Sequence, residues 1–160
     1  ARAHRVLDTS EFSVHDLKAW IIKHYRERGE GQALKISLMS FGYKFGVPFD
    51  VDMVFDVRFL RNPHFVPDLQ PLTGEHADIQ RFVLDTREAK VFLEHLKELF
   101  AFLLPLFERE QRSYVTVAFG CTGGRHRSVA IVLCMKDTLK TLGYDVTIHH
   151  REISKEATPE

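Results

Sequence analysis

The stretch Gly120-Cys121-Thr122-Gly123-Gly124-Arg125-His126-Arg127-Ser128 packs two arginines, a histidine, two hydroxyls and a thiol into nine residues. It follows Tyr114-Val115-Thr116-Val117-Ala118-Phe119, an apolar β-forming run, and precedes a strong helical pattern over 128–142 closed by Gly143. A loop that leaves a buried strand and opens a helix presents free backbone N–H groups and the positive end of the helix dipole, both of which attract an anion. Gly123 and Gly124 let the backbone approach that anion closely. Arg125 and Arg127 add guanidinium donors suited to two-pronged contact with phosphate oxygens, and Thr122, His126 and Ser128 add polar groups. The bland alternative is a glycine-bearing turn with exposed basic residues, which asks for none of this crowding.

A sharper chemistry is written into the same residues. Cys121, Gly124, Arg127 and Ser128 fit C-x-x-G-x-x-R-S, the spacing of the cysteine-dependent phosphatase loop. There a thiolate, acidified by the helix start and nearby arginines, attacks phosphorus while the arginine binds the equatorial oxygens. A general acid must protonate the leaving group. Gly120 stands where a histidine usually precedes that cysteine, and no W-P-D segment is present, so that Asp56 and Asp68 are the only acids to consider. The expectation is a binding domain rather than an enzyme, with Cys121 and Arg127 as the catalytic pair of the alternative.

The elements that position this loop are legible in the periodicity. Ser13 offers an N-cap to a helix carrying Val14, Leu17, Trp20, Ile21 and Ile22 and ending at Gly29 or Gly31. Residues 34–40 alternate as a strand and enter the glycine-bearing loop 41–46, and a second strand is expected at about 53–59. Residues 60–74 hold Pro63, Pro67, Pro71 and Gly74, too much punctuation for a regular element, and read as an ordered loop. A short helix is expected over 75–86. Thr86 then caps a longer one through Val91, Leu96, Phe100 and Leu103 that Pro105 kinks or ends, and 144–150 forms the last strand. Helices alternating with apolar strands predict a three-layer α/β domain with a largely parallel sheet.

Composition narrows the setting. The 160 residues suit one domain, and 22 basic against 22 acidic residues leave no global charge to grip nucleic acid, so any polyanion must be met by a local patch. Two cysteines, no secretory signal and no apolar run long enough to span a bilayer point to a reducing, cytoplasmic setting without a membrane partner. Metal binding is not expected. The nine histidines include no zinc-helix pair, and His149 and His150 point to opposite faces of a strand.

Four segments, taken together, carry a family resemblance: Ser40-Phe41-Gly42-Tyr43-Lys44-Phe45-Gly46-Val47-Pro48, the run from Asp52 through Pro63, Leu72-Thr73-Gly74, and the 120–129 loop. In that order they resemble the C-terminal domain of the bacterial RapZ family over nearly the whole chain. The resemblance implies that residues 1–12, with Asp8-Thr9-Ser10 as the junction, link to a P-loop nucleotide-binding domain absent here, that 13–153 form a phosphosugar-binding domain, and that 154–160 are a tail. ATP or GTP would belong only to that other domain, with no cofactor in this one. It also implies a glucosamine-6-phosphate-like or UDP-sugar ligand sensed in amino-sugar and cell-envelope precursor metabolism, a regulatory or ribonuclease partner, small RNA in some members, and a homo-oligomer. Carried onto matching positions, the pocket would use residues 121–128, with Lys44, Asp56, Arg58, Asn62 and His64 facing them. Asp56 and Arg58, two apart on a strand, would share one face; the alternative for them is a structural ion pair. RNA-binding members end in a basic run, whereas this chain ends Arg151-Glu152-Ile153-Ser154-Lys155-Glu156-Ala157-Thr158-Pro159-Glu160, whose three glutamates would repel phosphates.

Overall fold

Val115 through Cys121 are buried without a break, the pattern of a strand covered on both faces, and this strand is the second of two at the centre of the sheet. The computed structural model describes residues 34–155, together with 7–10, 12–14, 16–17 and 20. The chain divides into two units, Ala1–Gln32 and a second from residue 33 onward. In the first, the amide of Asp16 donates to Ser13 Oγ at 3.2 Å and that of Leu17 to the Ser13 carbonyl at 2.9 Å, which is the expected N-cap. Trp20 is also helical, and the expected positions Ile21 and Ile22 and the expected end at Gly29 or Gly31 lie outside the described residues.

The second unit contains four strands, β1 (Lys35–Gly42), β2 (Met53–Asp56), β3 (Tyr114–Cys121) and β4 (Asp145–His150), and three α-helices, α1 (Ala77–Leu84), α2 (Arg87–Arg109) and α3 (Arg127–Thr141). All strand pairs are parallel and the order is β2-β3-β1-β4, so the three-layer α/β expectation holds with a sheet that is wholly parallel. The chain leaves β1 for one edge, passing β3, and leaves β3 for the other edge, passing β1. Connections that depart in opposite directions from neighbouring strands open a crevice at their carboxyl ends, where ligands of open α/β sheets collect. Register places Gly42 beside Cys121 at that point.

The core is built from Ile36 and Leu38 of β1, Val117 and Phe119 of β3, Phe100 and Leu104 of α2, and Ile131 and Met135 of α3, all fully buried. Each such side chain stabilises the fold by roughly 1.5–3 kcal/mol. Phe55 stacks on Phe119 at 5.4 Å and meets Phe100 edge-on at 6.2 Å, which locks the short strand β2 onto the sheet and α2. Thr86 caps α2 as expected, accepting from the Ala89 amide at 3.1 Å.

Two elements differ from their expected form. Pro105 does not end α2, which runs on to Arg109. Proline has no amide to donate to the Ala101 carbonyl four residues back, and Ala101 lies on an exposed part of the helix, where a missing hydrogen bond costs less than in the core. Strand β2 stops at Asp56 rather than near Phe59 because the Asp56 carboxylate accepts the Arg58 amide at 2.9 Å, a local turn that outcompetes the ladder. No helix among the described residues is long and apolar enough to cross a membrane.

Candidate functional site

The crevice between β1 and β3 is formed by two loops in contact. A methyl group on Gly42 would lie 2.6 Å from the Gly123 carbonyl carbon, and one on Gly124, which has φ +73°, would lie 2.5 Å from the Gly42 nitrogen. Only glycines let these backbones cross so closely. The amide of Lys44 then donates to the Thr122 carbonyl at 3.3 Å, tying the 43–45 turn alongside the loop.

Cys121 sits at the end of β3 and is 3% exposed. Its Sγ accepts the Gly124 amide at 3.2 Å and lies 3.2 Å from Ser128 Oγ. Arg127 opens α3, 5% exposed. From Nη1 it donates to the carbonyls of Arg58 at 2.6 Å and Leu60 at 3.2 Å, and from Nη2 to Thr122 Oγ1 at 3.2 Å, while its buried Nε has no partner among the described residues. Burial lowers the Arg127 pKa, with the Arg58 cation adding to that and the Cys121 sulfur and Asp56 carboxylate partly offsetting it. A buried guanidinium with a free donor, at a helix start whose first amides are unpaired, is equipped to receive an anion.

Asp56 and Arg58 form a fork-on-fork ion pair, with Arg58 Nη2 2.6 Å from Asp56 Oδ2 and Nε 3.0 Å from Oδ1, the structural-pair alternative for these residues. They share a face through the turn that ends β2, not through strand alternation. Hydrogen bonding from Arg58 holds the Asp56 carboxyl below its ordinary range, which leaves it ionised and unsuited to act as a general acid. The Arg58 guanidinium also covers the Tyr43 ring at 4.1 Å. Lys44 Nζ lies over Phe45 at 5.0 Å.

The remaining positions are engaged elsewhere. Arg125 Nη2 donates to the Pro71 carbonyl at 2.9 Å, and its Nε is buried without a partner among the described residues. His126 places Nε2 2.7 Å from the Leu72 carbonyl and 3.2 Å from that of Gln70; burial lowers its pKa and keeps the ring neutral. Arg125 and His126 therefore fasten one end of the proline-bearing segment while Arg127 fastens the other. Asn62 Oδ1 accepts the His64 amide at 3.2 Å and so caps the 3₁₀ turn Pro63–Phe65, and the His64 ring meets Phe65 edge-on at 5.7 Å. Among the described residues no group of three His, Cys, Asp or Glu converges to hold a metal ion.

Sequence reasoning missed a buried ion pair behind the loop. Glu152 is 1% exposed; its Oε2 accepts the Gly42 amide at 2.9 Å and its Oε1 accepts from Arg151 Nε. Arg151 Nη2 reaches the carbonyls of Gly46 at 2.6 Å and Gly42 at 3.3 Å. Glu152 is thus a structural anchor and not part of a phosphate-repelling tail. Its signal was only that it lies two residues past the end of β4, beside β1. Ser40 and His150, each on a central or edge strand end, also meet, Oγ to Nδ1 at 2.8 Å.

Comparison with known proteins gives a consistent result. The RapZ C-terminal domain profile matches residues 34–154. A nucleotide-binding protein of Acidobacterium capsulatum is 46% identical over 153 residues, covering 96% of this chain and 50% of that protein. One from Trichlorobacter lovleyi is 47% identical over 150 residues, 94% of this chain and 53% of the relative, and one from Geotalea uraniireducens is 44% identical over 153 residues, 96% and 53%. The chain spans about half the length of the curated relatives it matches.

Proposed function

Since the chain belongs to the RapZ C-terminal domain family, we propose that its switch-point crevice binds a phosphorylated amino sugar of the glucosamine-6-phosphate kind, or a sugar nucleotide, and reports its presence to a regulatory partner. The observation that carries this reading is the Arg127 guanidinium, buried, ionised and holding a free Nε donor at the start of α3. The phosphate would lie against Arg127, the amides of the first helical turn and Thr122, in the manner of helix N-terminal anion sites. Lys44 and the Asp56–Arg58 pair line the side from which the remainder of the ligand would approach, and the ionised Asp56 suits an amine or hydroxyls. The relatives' printed description as nucleotide-binding proteins keeps a UDP-sugar within this reading.

The test is ligand-induced stabilisation. At a hundredfold excess over Kd, a ligand bound only by the folded state raises stability by about 2.7 kcal/mol. Glucosamine-6-phosphate or a UDP-sugar should raise the melting temperature, glucosamine alone should not, and Arg127→Ala should abolish the effect. If the variant retains the full shift, the phosphate is held elsewhere.

One observation favours a second reading, phosphoryl transfer through Cys121: its sulfur accepts the Gly124 amide and lies 3.2 Å from Ser128 Oγ, beside Arg127 at the start of α3. Against it stand the 3% exposure of Cys121 and the ionised Asp56. Phosphate release from an aryl phosphate ester that disappears in Cys121→Ser would establish it.

A further inference from the structure

Arg127 serves two places with one side chain. Its Nη1 donates to the carbonyls of Arg58 at 2.6 Å and Leu60 at 3.2 Å, the residues on either side of Phe59. Its Nη2 donates to Thr122 Oγ1 at 3.2 Å, and its Nε is buried without a partner among the described residues. A guanidinium is planar and stiff, so a group that fixes one edge also fixes the direction of the others.

The turn that Nη1 holds ends at the surface. The Val57 amide donates to the Gly120 carbonyl at 2.9 Å, and the Leu60 amide closes the turn on the Val57 carbonyl with a long bond of 3.3 Å. Val57 and Leu60 are buried, whereas Phe59 between them is 56% exposed. Phe59 meets the Phe92 ring edge-on at 5.2 Å and forms one wall of an open groove against α2, which Arg87, Val91 and His95 line from the helix side. Whatever moves this turn therefore changes the shape of that groove.

We propose that Arg127 couples the anion crevice to the Val57–Leu60 turn, so that a phosphate held at Nε steadies the guanidinium on the Arg58 and Leu60 carbonyls and crevice occupancy is expressed at the surface through Phe59. The inference rests on the phosphate reading of the crevice and adds to it the route by which occupancy leaves the site. Two states of the turn are involved: closed, with both carbonyls on Nη1, and open, with the Leu60 amide released from Val57. Phosphate favours the closed state because only there does the immobilised Nη1 find its acceptors. Ordering the long arginine side chain costs conformational entropy, and once either the phosphate or the turn has ordered it, the other binds it more readily. The effect is reciprocal, so loosening the turn must weaken the hold on phosphate by the same factor.

Amide hydrogen exchange of the wild-type chain, followed by NMR with and without saturating glucosamine-6-phosphate, tests this and needs no variant. Exchange of the Leu60 amide should slow about fivefold or more. The Gly143 amide, which donates to the Lys140 carbonyl at 2.9 Å beyond the far end of α3, should not change. Phe59→Ala removes the contact with Phe92 and, by calorimetry, should weaken glucosamine-6-phosphate binding about fivefold although Phe59 lies outside the crevice, while Phe59→Leu, which keeps an apolar side chain there, should stay within about twofold of the wild type. The coupling is overturned, and the phosphate reading left standing, if the ligand raises the melting temperature but Leu60 exchange is unchanged, Gly143 slows equally, Phe59→Ala binds as the wild type does, or Phe59→Leu binds as weakly as Phe59→Ala. If the ligand gives no stabilisation at all, the phosphate reading fails and the coupling fails with it.

Discussion

Replacing Glu152 should separate its two roles. In Glu152→Ala the buried Gly42 amide loses its acceptor at 2.9 Å, which costs about 1–3 kcal/mol for an unsatisfied donor. Arg151 also loses its partner, but its side chain is 25% exposed and regains water, so this part adds no more than about 1 kcal/mol. The expected total is about 1–4 kcal/mol. Glu152→Gln keeps a side-chain carbonyl that can accept the same amide but puts an NH2 donor where the carboxylate accepted from Arg151, whose exposed guanidinium can turn to water, for an expected loss of about 1 kcal/mol. Urea unfolding followed by far-ultraviolet circular dichroism measures both, and a chain of this length should lose about 2–4 °C of melting temperature per kcal/mol. Anion-induced stabilisation should weaken in Glu152→Ala more than in Glu152→Gln, since only alanine frees Gly42 from the loop it crosses. If alanine and glutamine cost the same, or alanine lies within about 0.5 kcal/mol of the wild type, the anchoring role assigned to Glu152 is wrong.

Two further outcomes follow from the loop. Gly124→Ala sets a methyl 2.5 Å from the Gly42 nitrogen and 2.8 Å from Glu152 Oε2 at a φ of +73°, so thermal melts should show a loss above about 2 kcal/mol together with loss of anion binding. His126 and His150 both have pKa values lowered by burial, so the unfolded chain binds more protons than the folded one as pH falls through the ordinary imidazole range. Their contribution to stability is full above about pH 7 and is lost below about pH 6.5; denaturation midpoints that rise between about pH 7.5 and 5.5 would contradict this.

The sheet was readable because burial on both faces demands uninterrupted apolar runs, and β3 is such a run. The helix ends were readable where a side chain makes the cap, as at Ser13 and Thr86. The 120–128 loop was readable as a strand-to-helix connection because its residues are adjacent in sequence. What escaped was decided by competition or by distance. Asp56 has a strand environment, yet its carboxylate bends the chain and captures Arg58, a choice between two local hydrogen-bonding solutions that periodicity does not record. Pro105 lies inside a helix that core packing carries through to Arg109, and both that packing and the exposure at Ala101 are tertiary facts. Glu152 has a charged side chain near the chain end, and its burial depends on the pairing of β4 with β1, which sets it behind a loop 110 residues away from its partner Gly42. Arg125 and His126 have the same chemistry as Arg127 on paper, but the path of residues 60–74 directs them to other carbonyls.

Every side-chain hydrogen bond that Arg125, His126 and Arg127 make to the segment that lies across them ends on a main-chain carbonyl, at Arg58, Leu60, Gln70, Pro71 and Leu72. Carbonyls are common to all residue types, so this grip depends on the backbone path of the segment, which Leu60, Pro63, Leu69 and Leu72 hold against the core and Asn62 caps, and not on the side chains it turns outward. Substitutions within it that preserve backbone path should be tolerated freely, allowing its outward surface to diversify, while a single change in the gripping trio should be felt along its whole length.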